Sequence, residues 1–346
     1  MIEGQTNVLS LRKGGGCLND LGKELGRFVV TTMDIPWSIT KDRLGATPEA
    51  VLMVETMEQE VVERQIEAAP ACDTVLAIGG GQAVDLGKYF AWKRGIRLVT
   101  APTILSVDAF TTPAAGLRQG HRVVYLGHAS PDPLVIDYDV IRTAPPELNI
   151  AGVGDLFSIH TASFDWELSE QAGKSEYPFS AADIARAREI VDLLRRHTSD
   201  IRACNDAGLW AIVEGCMRLN TICLPAGHFR VEEGSEHYLF YELEERLQRP
   251  FTHGHIVGLG IYLMTRLQGN QAEEMTALMN EIGLLYQPHV MGITRADLKA
   301  SLLNLRTYVE SRTDLWHTVI NQRPITAEWV EQAITGLEFA DSEPSA

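Results

Sequence analysis

The sequence predicts an α/β domain built on a parallel sheet, followed by a domain that is mostly helical. Three observations lead there. Up to about residue 150, short β-like apolar runs alternate with helical segments, the pattern of a parallel sheet with helices on its faces. Near Ala144-Pro145-Pro146-Glu147-Leu148 this alternation stops, and beyond it apolar residues recur at helical spacing. A chain of 346 residues is also long enough for two domains of about 100 to 200 residues each.

Taken in order, Asn7-Val8-Leu9-Ser10-Leu11 reads as a strand, followed by a helix from Leu18 to Leu25 and a second strand at Arg27-Phe28-Val29-Val30-Thr31-Thr32. A helix over about 57–69 precedes the apolar run Thr74-Val75-Leu76-Ala77-Ile78. The glycines Gly79-Gly80-Gly81 come next, then a helix over 82–94 and a strand at Ile96-Arg97-Leu98-Val99-Thr100-Ala101. In the second half, the segments 181–197, 207–221, 237–247, 253–267 and 271–282 carry helical periodicity. The expected organisation is an α/β domain over 1–150, a helical domain over 151–340 and a frayed tail over 341–346, with a cleft between the two domains as the usual place for a site.

Composition excludes several classes of function. A net charge of −16 opposes binding to nucleic acid or anionic lipid, and so favours a small-molecule ligand. No run of about 20 apolar residues suggests a membrane span, and Met1-Ile2-Glu3-Gly4-Gln5 does not read as the start of a signal peptide. The five cysteines are odd in number and lack C-x-x-C spacing, which argues against a disulfide framework and fits a reducing cytoplasm. A homodimer is the default expectation for assembly.

Gly79-Gly80-Gly81 stands between an apolar strand and a helix. Three glycines alone often make only a flexible turn, but in this context backbone N–H groups can approach a phosphate and the helix dipole favours its charge. Asp85, one turn into that helix, reads by default as a solvated first-turn acid. Lys13-Gly14-Gly15-Gly16 lacks the Gly-Lys-Ser/Thr ending of a triphosphate loop and reads as a turn. The segment from Ala101 to Pro113 leaves the C-terminal end of a strand, where ligands gather in open α/β sheets. Its Asp108 reads equally as a turn residue or as a partner for a substrate hydroxyl.

The stretch Gly234-Ser235-Glu236-His237-Tyr238-Leu239-Phe240-Tyr241 reads as one amphipathic helix, and a turn at Gln248-Arg249-Pro250 leads to a second that opens with Thr252-His253-Gly254-His255. His237 and His253 could both point into one cleft, and a carboxylate from elsewhere would complete a metal site. Asp155, in Ala151-Gly152-Val153-Gly154-Asp155, offers that carboxylate, although alone it would more often be a cap. Three protein ligands leave a fourth zinc position open, as catalysis requires. His255 is two residues from His253, and on a helix the two point in nearly opposite directions, which leaves His255 a supporting or substrate-contacting role. Tyr241 lies one helical turn from His237 and shares its face. Arg230 could meet a substrate phosphate, although a solvated arginine is the commoner case.

Taken together, Gly79-Gly80-Gly81-Gln82-Ala83-Val84-Asp85, Pro102-Thr103 through Ser106-Val107-Asp108, Ala151-Gly152-Val153-Gly154-Asp155, Asp165-Trp166, Gly234-Ser235-Glu236-His237 and His253-Gly254 resemble, in that order, a known superfamily. It comprises the iron-containing alcohol dehydrogenases, the glycerol dehydrogenases and 3-dehydroquinate synthase, and the chain looks most like its sn-glycerol-1-phosphate dehydrogenase branch. The resemblance implies a Rossmann-like N-terminal domain within a dehydroquinate synthase-like fold. It implies an NAD(P)-binding role for Gly79, Gly80, Gly81, Gln82, Asp85, Thr103, Ser106 and Thr112, a substrate contact for Asp108, and a metal held by Asp155, His237 and His253. Zinc is the usual metal in that branch, with iron or nickel as alternatives.

The implied activity is hydride transfer between NAD or NADP and a polyol or polyol phosphate, assisted by the metal as a Lewis acid. Tyr241 or His255 would relay a proton. Two departures bear on the substrate: Tyr241 stands where the glycerol-phosphate branch has a second histidine, and His255 where glutamate is usual. Two other classes fit the same fold, a dehydroquinate synthase-like lyase and a non-catalytic metal- or nucleotide-binding descendant. The acid Asp34 after the second strand stands one residue late for an adenosine ribose, so the sequence leaves NAD against NADP open.

Overall fold

The computed structural model describes residues 4–341, so the expected tail lies outside the described residues apart from Asp341. The chain forms two compact units, one running up to Asn149 together with Ala203–Leu224, the other comprising Ile150–Arg202 and the residues from Pro225 onward.

The first unit is built on a six-stranded, wholly parallel sheet. Its strands are β1 (Leu11–Gly14), β2 (Phe28–Thr32), β3 (Ala50–Met53), β4 (Thr74–Gly79), β5 (Arg97–Pro102) and β8 (Pro131–Asp137), in the order β1-β8-β5-β4-β2-β3. A separate antiparallel hairpin, β6 (Ala115–Gln119) with β7 (Arg122–Leu126), was not anticipated from the sequence. Helices α1 (Asp34–Thr40), α2 (Gln59–Ala68), α3 (Gly81–Arg94), α4 (Tyr138–Ile141) and α5 (Pro146–Ile150) complete the N-terminal stretch.

β4 is buried at every position, which is why it reads as an unbroken apolar run. Its alternate side chains feed two cores. Val75 and Ala77 pack with Val29, Leu86, Tyr89 and Phe90 on one face, while Leu76 and Ile78 pack with Phe28, Val30, Leu44 and Val99 on the other.

Two expectations near the N-terminus fail. The first strand begins at Leu11 rather than Asn7, and in place of a helix over 18–25 there is one 3-10 turn at Leu21–Glu24. The cause is local: Asp137 accepts the backbone N–H groups of Gly16 and Leu18, at 3.1 and 2.8 Å, which pins the Gly14–Gly16 turn beside β8 and commits Leu18, Leu21 and Leu25 to the sheet core.

The second unit is helical. It contains α6 (Val153–Gln171), α7 (Ala181–Arg196) and α8 (Thr198–Arg202), then α10 (Ser235–Leu247), α11 (His253–Gln268), α12 (Ala272–Ile282), α13 (Arg295–Glu310), α14 (Val319–Gln322) and α15 (Ala327–Ala333). Helix α9 (Asp206–Ala226) lies between these in sequence but packs largely with the first unit. α10 ends at Gln248, which adopts a left-handed conformation (φ 51°), and Pro250 prevents the helix from continuing, so α11 starts anew at His253. Among the described residues, no helix is long and apolar enough to cross a membrane.

Candidate metal centre and glycine turn

Three helices of the second unit meet at their N-terminal ends, and glycines set how closely. A Cβ on Gly254 of α11 would fall 1.6 Å from the carbonyl oxygen of Ala151, and one on Gly154 of α6 would fall 2.2 Å from that of Gly254. The two backbones are therefore in direct contact, a separation no side chain permits. One turn and a half further along α11, a Cβ on Gly260 would lie 2.5 Å from the carbonyl oxygen of Glu236 on α10. These contacts bring Asp155 (α6), His237 (α10) and His253 (α11) together.

Each of the three residues offers one donor atom, and those atoms all lie within 4.8 Å of one another. His253 Nε2 is 2.9 Å and His237 Nε2 3.9 Å from Asp155 Oδ1. Ligands of a tetrahedral zinc with bonds near 2.0–2.1 Å stand roughly 3.3 Å apart, so the observed separations bracket what such an ion requires. His237 Nδ1 lies 2.9 Å from Glu236 Oε1, which also accepts the Gly234 N–H at 2.7 Å. With Nδ1 donating to a carboxylate, Nε2 keeps its lone pair for a metal.

The electrostatics point the same way. Asp155, Asp165 and Glu236 are all buried, a costly grouping of carboxylates that a divalent cation would offset. Burial and the neighbouring Glu236 push the Asp165 carboxyl up to about 6, while its oxygens accept the N–H groups of Ser235 and Val319. Burial opposes charge on His237, but the Glu236 hydrogen bond and the Glu236, Glu233 and Asp155 carboxylates outweigh it and raise its pKa to about 9. Phe240 sets its ring edge-on to His253, with centroids 4.8 Å apart, which walls that imidazole on one side. This donor set, two imidazoles and a carboxylate in a dry surround, fits a divalent transition metal.

In the first unit, β4 ends at Gly79 with φ +149°, and its carbonyl accepts the Thr103 N–H at 3.0 Å, tying the glycine turn to the end of β5. The turn is packed too tightly for side chains: a Cβ on Gly80 would meet Ile104 at 2.8 Å, and one on Gly81 would meet Val107 at 2.6 Å. Helix α3 begins there with no side-chain cap. The N–H groups of its first turn therefore face the carboxyl end of the sheet, as a phosphate-binding turn requires.

A family model described as iron-containing alcohol dehydrogenase matches residues 31–145. Two curated relatives are similar over most of their length, and both are glycerol-1-phosphate dehydrogenase [NAD(P)+]. The one from Halorubrum lacusprofundi is 28% identical, over 84% of this chain and 86% of that protein. The one from Aeropyrum pernix is 27% identical, over 93% and 92%. Among solved structures, a probable glycerol dehydrogenase from Sinorhizobium meliloti aligns with a TM-score of 0.70 at 22% identity, and an iron-containing alcohol dehydrogenase from Corynebacterium glutamicum with 0.72 at 16%, each over 96% of both chains. Residues 31–145 thus match the iron-containing alcohol dehydrogenase family, and the chain shares the fold of these solved structures.

The motifs fall where the sequence led one to look, but several side chains behave differently. Asp85 is not the solvated acid expected. It is half-buried and forms an ion pair with Lys88 at 2.7 Å; desolvation pushes its carboxyl up, against the pull of that lysine. Lys88 Nζ in turn lies 3.3 Å from both the carbonyl and the hydroxyl of Thr112, so the buried Lys88 links the half-buried Asp85 and Thr112 in one polar brace behind the turn. Lys88 was overlooked in the sequence, although a lysine three residues after Asp85 on a helix is a recognisable pairing.

Gln82 is half-buried at the start of α3, and Thr103 and Ser106 are buried in the segment after β5. Asp108 opens a 3-10 turn in the same segment, where its carbonyl accepts the Thr111 N–H at 2.8 Å. His255 is buried on α11 and is not one of the three donors of the Asp155, His237 and His253 group. Arg230 is no solvated side chain. It is fully buried, and its Nη2 donates to Ser169 and to the carbonyl of His317 at 3.1 and 2.7 Å. Sequence reasoning missed Glu236, because an acid in the first turn of a helix is commonly explained by the dipole alone.

Proposed function

We propose that the chain is a metal-dependent NAD(P)-linked dehydrogenase that transfers a hydride between the nicotinamide and a polyol or polyol phosphate. The observation that carries this reading is the Asp155, His237 and His253 group, in a chain whose curated relatives are glycerol-1-phosphate dehydrogenases over 84% or more of its length. Asp155, His237 and His253 would hold the ion. When bound, a divalent metal supplies Lewis-acid polarisation of a substrate oxygen. Zinc suits the two imidazoles and the carboxylate best, with iron or nickel as alternatives.

The chain's own residues supply positioning. Glu236 fixes the His237 ring through Nδ1, and Phe240 and Tyr241 line the imidazoles with apolar surface that keeps water back. In the first unit, the amides that open α3 would receive the cofactor's pyrophosphate, with Gly79, Gly80, Gly81 and Gln82 at the turn and Thr103 and Ser106 beside it. Asp85 and Thr112 would contribute indirectly, by holding Lys88 behind that turn. The protein would work as a homodimer in the cytoplasm, on a small-molecule substrate.

A screen of polyols, polyol phosphates and their ketones with both NAD and NADP, run on zinc-loaded protein, tests this reading. Reduction of the cofactor by at least one polyol or polyol phosphate is expected, and His253→Ala should lose both bound metal and turnover. Full activity in a metal-free His253→Ala protein, or phosphate release without net redox, would overturn it.

A further inference from the structure

The hydroxyl of Tyr241 donates to Glu233 Oε1 at 2.5 Å. Tyr241 is buried, one turn after His237 on α10, with its ring centroid 6.4 Å from that of the imidazole. Glu233 is half-buried in the turn that enters α10, four residues before His237, and its backbone N–H is anchored on the Phe229 carbonyl at 2.9 Å. Its carboxylate is therefore held in place by a rigid phenol, beside the metal ligands. The Tyr241 hydrogen bond engages only Oε1, which leaves the second oxygen, Oε2, of this half-buried carboxylate outside that bond.

We propose that Glu233, clamped by Tyr241, accepts a hydrogen bond from a non-reacting hydroxyl of the substrate and selects an uncharged polyol over one that carries a phosphate dianion. This rests on the reading of the chain as a polyol or polyol phosphate dehydrogenase and narrows its substrate class. Glu233 binds substrate; Tyr241 is a positioning residue.

Charge supports the selection. The charged groups that bear most on His237 are Glu236, Glu233 and Asp155, all carboxylates. Against them, a divalent ion leaves the centre with an excess of negative charge, and a phosphate dianion would add to it. A neutral polyol adds none and brings hydroxyl donors for a fixed carboxylate oxygen. Such a charge-assisted hydrogen bond is directional, and it is strengthened where water is scarce. The same fixed charge acts on a competing ligand as a repulsive element, the other half of specificity.

The test is calorimetric titration of zinc-loaded, NAD-bound protein with glycerol and dihydroxyacetone, and with glycerol 1-phosphate and dihydroxyacetone phosphate, with metal content measured in parallel. The wild-type chain is expected to bind the uncharged pair more tightly. Glu233→Gln should shift the affinity ratio toward the phosphate esters by about tenfold or more with metal content unchanged, since it removes one nearby charge and keeps the side chain's shape. Tyr241→Phe should weaken the uncharged ligands several-fold and move the ratio less, because the carboxylate stays but loses its clamp. A wild-type preference for the phosphate esters, an unchanged ratio in Glu233→Gln, or binding of neither class would overturn the proposal. Because binding is read rather than turnover, the expected ratio without any cofactor reduction would refute the dehydrogenase reading while leaving the assignment of Glu233 intact.

Discussion

At the scale of single residues, His237 illustrates how a neighbour decides what a ligand can do. Burial alone would strip its proton, yet the hydrogen bond to Glu236 and the surrounding carboxylates keep the metal-free imidazole protonated up to about pH 9. A metal must displace that proton. Apparent affinity for zinc is therefore expected to rise about tenfold per pH unit between roughly pH 7 and 9 and to level off above, which a chelator competition across that range would measure. A flat profile would refute the assignment. The shift also fixes a sign for stability: the folded-state pKa of about 9 exceeds the ordinary 6.5. Protonation thus stabilises the metal-free fold fully below about pH 6.5, and the contribution is lost as pH rises through 9, so the Tm of the metal-free protein should fall across that window. Glu236→Gln keeps an acceptor for Nδ1 but removes the charge, and should weaken metal binding by about 10- to 100-fold while lowering the pH at which affinity levels off.

At the scale of elements, the centre depends on α6, α10 and α11 approaching more closely than side chains allow, and α11 contains its own control. Gly254→Ala would force a methyl group onto the Ala151 carbonyl, and Gly260→Ala onto the Glu236 carbonyl, where only movement of whole helices gives relief. Each should cost about 3 kcal/mol or more and empty the metal site. Gly258→Ala meets Leu284 Cδ2 at 3.1 Å, which can rotate, and Tyr286 Cβ at 3.2 Å, which must give by a few tenths of an ångström; alanine favours a helix by about 1 kcal/mol over glycine, so the loss should be far smaller than at Gly254 or Gly260. Thermal unfolding and metal analysis of the three variants check this, and equal losses in all three would sink it.

These contacts also mark the limit of what the sequence disclosed. His237, His253 and Asp155 could be read because their residue types and helical spacing suit a metal, and the glycines because they recur in a motif. The reason for the glycines, one backbone against another, is a tertiary fact with no local trace. Glu236 and Lys88 were hidden by a bland local explanation, since acids and bases one turn apart on helices are ordinary. The clamp of Tyr241 on Glu233 spans eight positions and a turn whose shape the sequence did not specify.

At the scale of the whole molecule, the strand and helix alternation up to residue 150 was legible because each strand is a short local run, whereas the return of Ala203–Leu224 to the first unit was not, because helical periodicity gives no address. The chain crosses between units at Asn149, Arg202 and Leu224, so the first unit is not a contiguous segment. α9 contributes the buried Leu209, Ile212, Val213 and Leu219, its Asn220 accepts the Asn7 N–H at 3.3 Å, and Lys13 sits 3.3 Å above the ring of Trp210. Burial of side chains of that size is worth roughly 1.5–3 kcal/mol each, so the loss of α9 approaches the 5–15 kcal/mol that is the entire stability of an ordinary domain. A fragment ending at Asn149 is accordingly expected to show no cooperative thermal transition and to expose apolar surface to a hydrophobic dye, even with NAD present. A cooperative transition near that of the full chain would mean that the sheet and its flanking helices suffice, and that α9 covers the first unit without sustaining it.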